Sequence, residues 1–506
     1  MPAQLTTRAQ VNGYRFLLRR LDHALVRRDV RMLHDPMRSQ LRSLVVGAIL
    51  GVLVVAGAAI LAFLRPQGAI GDAHIVAGKD SGALYVVIRD GEKGDRLHPV
   101  LNLASARLIT GTAESPKSVK DAKLGSMSRG PMLGIPGAPA ALPGSGQGAR
   151  SEWALCDAVQ LSSSGSATGA GVHTTVLAGH THLGARVRAV GRDEALLVRG
   201  GDKTIGDKTY LVYDGKRAEV DPRNSVMARA LNLSAYQPRS ASPGLLAATI
   251  AVPIVAPPQI PGAGQQGPGK LSGVPIGGII AVSTLTHGAR PDLYVVLAEG
   301  VQPVSAFAAQ VIRTADSYGM SEIATVPPDV LDGVPVVHAL PIEHFPVDAP
   351  EILAAEDAPV ACIAWSKAPG TGPAARASAT DGPADRAVAT LLAGTELPLS
   401  EAARPVRLAT ADGTGDRVDQ VYIPPSTGEF VQVTGIDAGS PRRGSLFYIA
   451  DSGIRYGIPD AETAAALGLE KDPRLAPWVI VGQLVPGPTL AKQEALVSRD
   501  TLPTGR

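Results

Sequence analysis

Residues 82–109 read GALYVVIRDGEKGDRLHPVLNLASARLI, and the order of features in this stretch decides the fold. An apolar run with an aromatic comes first, Leu84-Tyr85-Val86-Val87. A glycine turn at Gly91 follows, then a stretch rich in alanine and leucine. The short apolar run reads as a strand and the alanine-rich stretch as a helix. The same order recurs at KTYLVYDGKRAEVDPRNSVMARALNL (208–233), DLYVVLAEGVQPVSAFAAQVI (292–312) and SLFYIADSGIRYGIPDAETAAALGL (445–469). The matching strands centre on Tyr210-Leu211-Val212-Tyr213, Leu293-Tyr294-Val295-Val296 and Leu446-Phe447-Tyr448-Ile449. Their turn glycines are Gly215, Gly300 and Gly453.

A proline-rich apolar tail follows each copy. The first carries Pro131, Pro136 and Pro139. The others run VPIVAPPQIPG (252–262), VPPDVLDGVPVV (326–337) and PWVIVGQLVPGP (477–488). Proline pre-sets an extended backbone there and stops the preceding helix. Tails such as 252–262 and 477–488 suit strand exchange or surface packing between copies of the chain. The copies start at unequal intervals, whereas a stacked solenoid keeps its period. Separate small lobes are therefore expected, with the extra material near 151–200 and 350–435 forming another domain. Each of these insertions holds one cysteine, Cys156 and Cys362.

The composition fits this picture. The chain has 506 residues, with 56 glycines and 41 prolines, so turns and extended loops should be frequent. The 48 Lys and Arg residues nearly cancel the 46 Asp and Glu residues. A net charge of +2 excludes a globally basic nucleic-acid binder. Two cysteines are too few for a disulfide scaffold or a four-cysteine zinc site.

The charge is unevenly placed. Residues 44–64 read LVVGAILGVLVVAGAAILAFL, free of charge and proline, and as a helix they span about 31 Å, a bilayer's hydrocarbon thickness. Nine arginines, from Arg8 to Arg42, precede this span. After it come Arg65 and then no basic residue until Lys79. The positive-inside rule places the N-terminus in the cytoplasm and the long C-terminal part outside it. Gly47-x-x-x-Gly51 and Ala58-x-x-x-Ala62 are small-residue patterns that permit close helix packing, although small residues are common in such helices. Before the span, Val11, Tyr14, Leu18, Leu21 and Leu25 recur at helical spacing and make one apolar stripe. This helix is expected to end at Asp35-Pro36. It suits docking to a partner protein or to anionic lipid; a solvated arm that only sets topology is the plainer reading. Outside the cytoplasm, Cys156 and Cys362 are expected to pair rather than remain two buried thiols.

No strong catalytic motif stands out. Gly111-Thr-Ala-Glu-Ser-Pro116-Lys117-Ser118 approaches the phosphate-binding G-x-x-x-x-G-K-[ST] loop, but proline replaces the second glycine and removes an N–H. His180 and His182 have an H-x-H spacing that could form half a metal site, with no evident further ligand. An exposed polar pair is the expected reading. No nucleophile elbow or zinc-binding helix is present, and Leu502-Pro503-Thr504-Gly505 lacks a residue of the sorting signal it superficially resembles. No cofactor, metal site or catalytic residue is assigned.

Several long strings together resemble the EccB membrane components of the mycobacterial type VII (ESX) secretion systems. They are GYRFLLRRLDHALVRRDVRM (13–32), HPVLNLASARLI (98–109), RGPMLGIPGAP (129–139), SEWALCD (151–157), ACIAW (361–365), GIRYGIPDAETAAALGL (453–469) and APWVIVGQLVPGPTLAK (476–492). With the membrane span, the likeness covers nearly the whole chain. It implies a single-pass inner-membrane subunit whose outer part has four repeats around a β-rich domain with one disulfide. It implies as partners the motor ATPase EccC, the membrane subunits EccD and EccE, further EccB copies and the lipid bilayer. It further implies that the N-terminal helix touches the cytoplasmic part of the assembly. Some family members carry an ATPase label, and the repeats are said to resemble a cell-wall-binding lysin subunit.

The expected fold is α+β: one transmembrane helix, then an elongated extracytoplasmic body of four small α/β repeats around a β-rich centre. The expected division is 1–43 cytoplasmic helix, 44–64 span, 72–145 repeat 1, 151–200 first part of the centre, 203–262 repeat 2, 275–347 repeat 3, 350–435 second part of the centre, and 440–495 repeat 4. The expected function is a structural subunit of a secretion complex that anchors its channel and oligomerises in the periplasm. An extracytoplasmic ATPase and a cell-wall-binding module are the alternatives.

Overall fold

The computed structural model describes residues 7–28, 30, 36–64, 70–90, 94–148, 150–162, 171–200, 208–283, 290–368, 386–469 and 472–500. The chain divides into two compact parts, Met1–Gly71 and Asp72–Arg506.

In the first part, helix α1 spans Arg8–Arg27. Thr7 caps it in a reciprocal capping box, in which the Thr7 N–H donates to Gln10 Oε1 at 3.0 Å. It ends at Arg28, a left-handed residue whose N–H donates to the Ala24 carbonyl. The helix thus stops well short of Asp35-Pro36; Asp35 lies outside the described residues. Pro36 instead opens helix α2, Pro36–Leu64, where its missing N–H costs no intrahelical bond. Within α2, Leu41–Leu61 is long and apolar enough to cross a membrane, and none of it is buried by the rest of the chain.

The second part holds four copies of one topology. In the first, strands Ile75–Gly78, Leu84–Asp90 and Gly94–Pro99 form an antiparallel meander. Helix Leu103–Thr110 crosses back, and strand Lys117–Val119 pairs parallel to the first strand. The third copy repeats this with Ile279–Val282, Asp292–Leu297, Gly300–Pro303, helix Ala306–Ala315 and Ala324–Val326. The second uses Glu194–Gly200, Lys208–Tyr213, Lys216–Glu219, helix Ser225–Ala230 and Arg239–Ser240. The fourth uses Gly428–Thr434, Leu446–Ala450, Ile454–Ile458, helix Ala461–Leu467 and Arg474–Pro477. Each helix starts on a short polar side chain that accepts from its first turn: Asn102, Asn224, Ser305 and Asp460.

The aromatic strand is the second strand of each unit, not the first. The first strands of units 2 and 4, Glu194–Gly200 and Gly428–Thr434, therefore belong to repeat sheets, although their positions fall within the stretches 151–200 and 350–435 expected for the centre. Glu194–Gly200 is buried on both faces, with Ala195 and Leu197 in one core and Leu196 and Val198 in another. Such a strand reads as a bare apolar run, with no turn to tie it to its partner. Of the turn glycines, Gly91 lies outside the described residues. Gly215 follows Asp214, both at positive φ, in the tight hairpin that joins the second and third strands of unit 2.

The proline-rich tails also have internal partners. Ile250–Val252 pairs parallel to the third strand of unit 2, and the Val255 N–H donates to the Glu219 carbonyl. Val485–Pro486 pairs in the same sense with the third strand of unit 4, continued by Gly487 N–H to the Arg455 carbonyl. Single parallel bridges, Leu97 to Arg129 and Val301 to Val336, do the same in units 1 and 3. The tails expected to serve exchange between copies are thus occupied within their own units.

At the centre lies a seven-stranded sheet in the order Val406–Arg407, Thr414–Tyr422, Val172–Ala178, Ser151–Val159, Val360–Lys367, Val388–Gly394, Val187–Ala189. Ser151–Val159 and Val360–Lys367 are antiparallel neighbours, and Cys156 faces Cys362 directly in a disulfide. One sheet face packs this bridge with Leu177, Val187 and Leu392. The other presents Trp153, Leu155, Ile363 and Trp365 to units 2 and 4, where Leu196, Val198, Val431 and Ile449 join the same core.

The units associate in pairs. Helix Leu103–Thr110 of unit 1 packs on helix Ala461–Leu467 of unit 4, and helix Ser225–Ala230 of unit 2 on helix Ala306–Ala315 of unit 3. Ser498–Arg499, after unit 4, pairs with Met132–Leu133 in the tail of unit 1.

Candidate functional site

Among the described residues, the outward-facing features that stand out are surfaces. On α1, Tyr14, Leu18, Leu21 and Leu25 are 64%, 44%, 59% and 74% exposed, so the stripe contacts little of its own chain. On α2, side chains added at Gly47 or Gly51 would meet nothing within 4 Å. Both helices thus present open apolar faces, which soluble surfaces avoid unless something covers them.

Polar links hold the body together where its parts meet. Arg107, on the helix of unit 1, donates from Nη1 to the Leu467 carbonyl at 2.6 Å and from Nε to the Glu114 carbonyl at 3.3 Å. Partial burial lowers the pKa of this guanidinium. Tyr448 and Tyr456 of unit 4 donate to the carbonyls of Pro143 and Gly137. Glu429 is fully buried, accepts from the Ser145 hydroxyl and the Gly146 N–H, and has its pKa raised by burial.

The most perturbed carboxyl is Asp157, one residue after Cys156. It accepts from the Thr174 hydroxyl at 2.9 Å and from the Ser242 N–H and hydroxyl at 2.6 and 2.8 Å. Ser242 in turn caps helix Pro243–Ala247, so this carboxylate joins the central sheet to the end of unit 2. Burial pushes it up to about 6, against those hydrogen bonds and the charge of Arg239. Arg239 is itself pushed down to about 10 by burial, and it donates to the Ala358 carbonyl. Sequence reading singled out neither residue. Asp157 shows only as a lone charge within an apolar run, and Arg239, in the polar stretch Gln237-Pro238-Arg239-Ser240, carries no local signal.

The two weak chemical strings take definite places. Residues 111–118 run from a helix to a strand: Gly111 caps the C-terminus of Leu103–Thr110, and Lys117 begins Lys117–Val119. A phosphate loop runs from a strand to a helix N-terminus, whose N–H groups face the anion. Here a helix C-terminus, with its carbonyls, is presented instead. Glu114, within the string, accepts from the His74 ring at 3.0 Å and is held below the usual carboxylate range by that bond. His180 and His182 sit in the loop after Val172–Ala178 with ring centroids 5.5 Å apart, and His180 Nδ1 lies 3.4 Å from Glu152. Among the described residues no group of three or more His, Cys, Asp or Glu side chains is placed to hold a metal ion.

One candidate membrane-spanning helix precedes a body of four related units packed on a disulfide-linked sheet, the architecture of a single-span protein with a large folded body. The chain belongs to the EccB family of type VII secretion proteins: the family described as type VII secretion system ESX-1, transport TM domain B, matches residues 3–504. It is 36% identical to the ESX-3 secretion system ATPase EccB3 of Mycolicibacterium smegmatis, over 98% of this chain and 92% of that protein. It is 37% identical to the ESX-5 secretion system ATPase EccB5 of Mycobacterium tuberculosis, over 99% and 94%. Among solved structures, a chain of the intact ESX-5 inner membrane complex matches with a TM-score of 0.70 and 33% identity, covering 100% of this chain and 98% of that one. The EccB3 dimer from the ESX-3 core complex matches with a TM-score of 0.68 and 32% identity, covering 84% and 100%.

Proposed function

We propose that this chain is a structural, single-pass subunit of a type VII (ESX) inner-membrane secretion complex. The observation that carries this reading is the full-length likeness to a chain of the intact ESX-5 inner membrane complex. The arginines clustered before Leu41–Leu61 support a cytoplasmic N-terminus and a periplasmic body. In this reading α1 docks through Tyr14, Leu18, Leu21 and Leu25 on the cytoplasmic side. The span packs through Gly47 and Gly51 against neighbouring helices, and the four-unit body associates with further copies. EccC, EccD and EccE are the proposed partners. The role is mechanical: anchoring, spacing and joining.

Co-purification from membranes tests this. The tagged chain should bring down the motor ATPase EccC and the membrane subunit EccD. Isolation as a lone monomer, with the rest of the complex intact without it, would refute the reading.

The relatives' names include the word ATPase. The one phosphate-loop-like string runs in the wrong sense and is closed by the His74–Glu114 pair, so it supports no nucleotide site. ATP hydrolysis by the purified chain, if measured, should be unchanged by Lys117→Ala.

A further inference from the structure

Helix α1 carries a second outward surface beside its apolar stripe. Arg8, Arg15 and Arg19 succeed one another at spacings of seven and four, with Asn12 between the first two. On a helix these positions form one row about 16 Å long. All four side chains are exposed, and none of the three arginines has an ion-pair partner among the described residues. Asp22, the single acid of Arg8–Arg27, lies one turn beyond Arg19. His23, the one buried residue of the helix among those described, also lies beyond the row.

The row and the stripe are different faces. At about 100° per residue, the arginines centre about 100° around the helix axis from Val11, Tyr14, Leu18, Leu21 and Leu25. When the row rests on a surface, the stripe therefore looks sideways along that surface and stays open to a protein.

Chain length sets what lies within reach of the row. Helix α1 ends at Arg27, while α2 begins at Pro36 and is apolar enough to cross a membrane from Leu41. The segment 28–35 reaches at most about 28 Å when fully extended. A bilayer that takes up Leu41–Leu61 thus holds α1 beside its headgroups, and a tether this short keeps the effective concentration high. Each arginine near an anionic leaflet strengthens association about fivefold, so three supply about a hundredfold. Guanidinium forks also suit phosphate oxygens in bidentate pairs. An exposed helix of 20 residues is marginal in water on its own, so a surface that holds it has a structural effect as well.

We propose that Arg8, Arg15 and Arg19 bind the phosphate groups of anionic phospholipids, so that α1 lies along the headgroup layer with its apolar stripe facing sideways. The inference rests on Leu41–Leu61 spanning a bilayer and not on membership of a secretion complex. A failed co-purification would leave it standing, and the test below uses no partner protein.

The full-length protein is placed in nanodiscs of phosphatidylcholine alone and of phosphatidylcholine with one quarter phosphatidylglycerol, and hydrogen exchange of the α1 amides is followed in both. Exchange about tenfold or more slower in the anionic discs is expected, with the difference lost in 0.5 M salt. Arg8→Gln/Arg15→Gln/Arg19→Gln should abolish the difference. Glutamine matches arginine closely in helix propensity, so that loss reports on charge rather than on helix formation. Arg8→Lys/Arg15→Lys/Arg19→Lys should keep most of the difference, because the charge is retained. Equal exchange in the two kinds of disc, or a difference that survives the glutamine variant, overturns the proposal. Loss of the difference in Leu18→Gln/Leu21→Gln, with the arginines intact, would assign the lipid contact to the stripe and overturns it too.

Discussion

The guanidinium of Arg107 hydrogen-bonds the carbonyl of Leu467 at 2.6 Å, joining residues 360 positions apart. Leu467 is the last residue of helix Ala461–Leu467, so the bond places a cation on the carbonyl end of a helix, where charge and dipole agree. It is a polar clasp on the apolar core shared by units 1 and 4.

Arg107→Ala should cost about 1–3 kcal/mol, since a partly buried charged hydrogen bond is lost and two carbonyls lose their donor. Hydrogen exchange is the measurement. Amides of Leu103–Thr110 and Ala461–Leu467 should exchange faster, while those of the central sheet stay protected. Arg107→Lys should recover little, because one ammonium cannot reach both the Leu467 and Glu114 carbonyls in Arg107's forked geometry.

Removing the disulfide should lower stability without dismantling the sheet. Cys156 and Cys362 are 206 residues apart, and chain-entropy reasoning assigns such a loop about 5 kcal/mol. For a body of this size that corresponds to about 5 °C in melting temperature. Cys156→Ser/Cys362→Ser should melt lower by that order and become insensitive to reductant. A double variant that matched the parent would mean that the surrounding strands alone supply the constraint.

Asp157 should make stability fall as pH rises. Its carboxyl is pushed from 3.8 up to about 6 in the folded chain, so folding favours the protonated form. That contribution is fully present below about pH 4 and is lost as pH climbs through 6. It amounts to about 3 kcal/mol. Asp157→Asn cannot titrate there. Denaturant melts of both proteins at pH 4 and pH 7 should show the parent's stability relative to the variant declining by that order.

Leu18→Glu/Leu21→Glu should leave the body folded and the span inserted. It should abolish co-purification of cytoplasmic partners, because two charges then interrupt the exposed stripe of α1. Gly47→Ile/Gly51→Ile tests the span separately. Bulky side chains find open space in the single chain, so any loss of assembly in a membrane extract reports on a neighbouring helix.

How far the sequence could be read depends on whether a signal is local. The aromatic strand, the turn and the helix of each unit lie within about 25 residues and carry their own punctuation, so Tyr210-Leu211-Val212-Tyr213 and Asp214-Gly215 announce a strand and its hairpin. The first strand of unit 2 shows no alternation because both its faces are buried, and residues 201–207 separate it from its partner. The pairing of unit 1 with unit 4 rests on contacts such as Arg107 to Leu467, which no local pattern encodes. The cysteines were legible because only two exist outside the membrane span.

The tails that return to their own units have a further effect. Apart from the six-residue Gly94–Pro99 of unit 1, the repeat sheets end in strands of two to four residues, such as Arg239–Ser240, Lys117–Val119 and Val485–Pro486. Proline at or beside these margins, as at Pro253, Pro477 and Pro486, removes N–H groups that a foreign strand would need. Among the described residues, most sheet margins thus offer only short ladders to another polypeptide. A relative of this chain is solved as a dimer, so copies in this family do lie side by side. With its margins blunted, such a molecule can be crowded against its own kind without seeding fibrils, and recognition is left to side-chain faces that can discriminate.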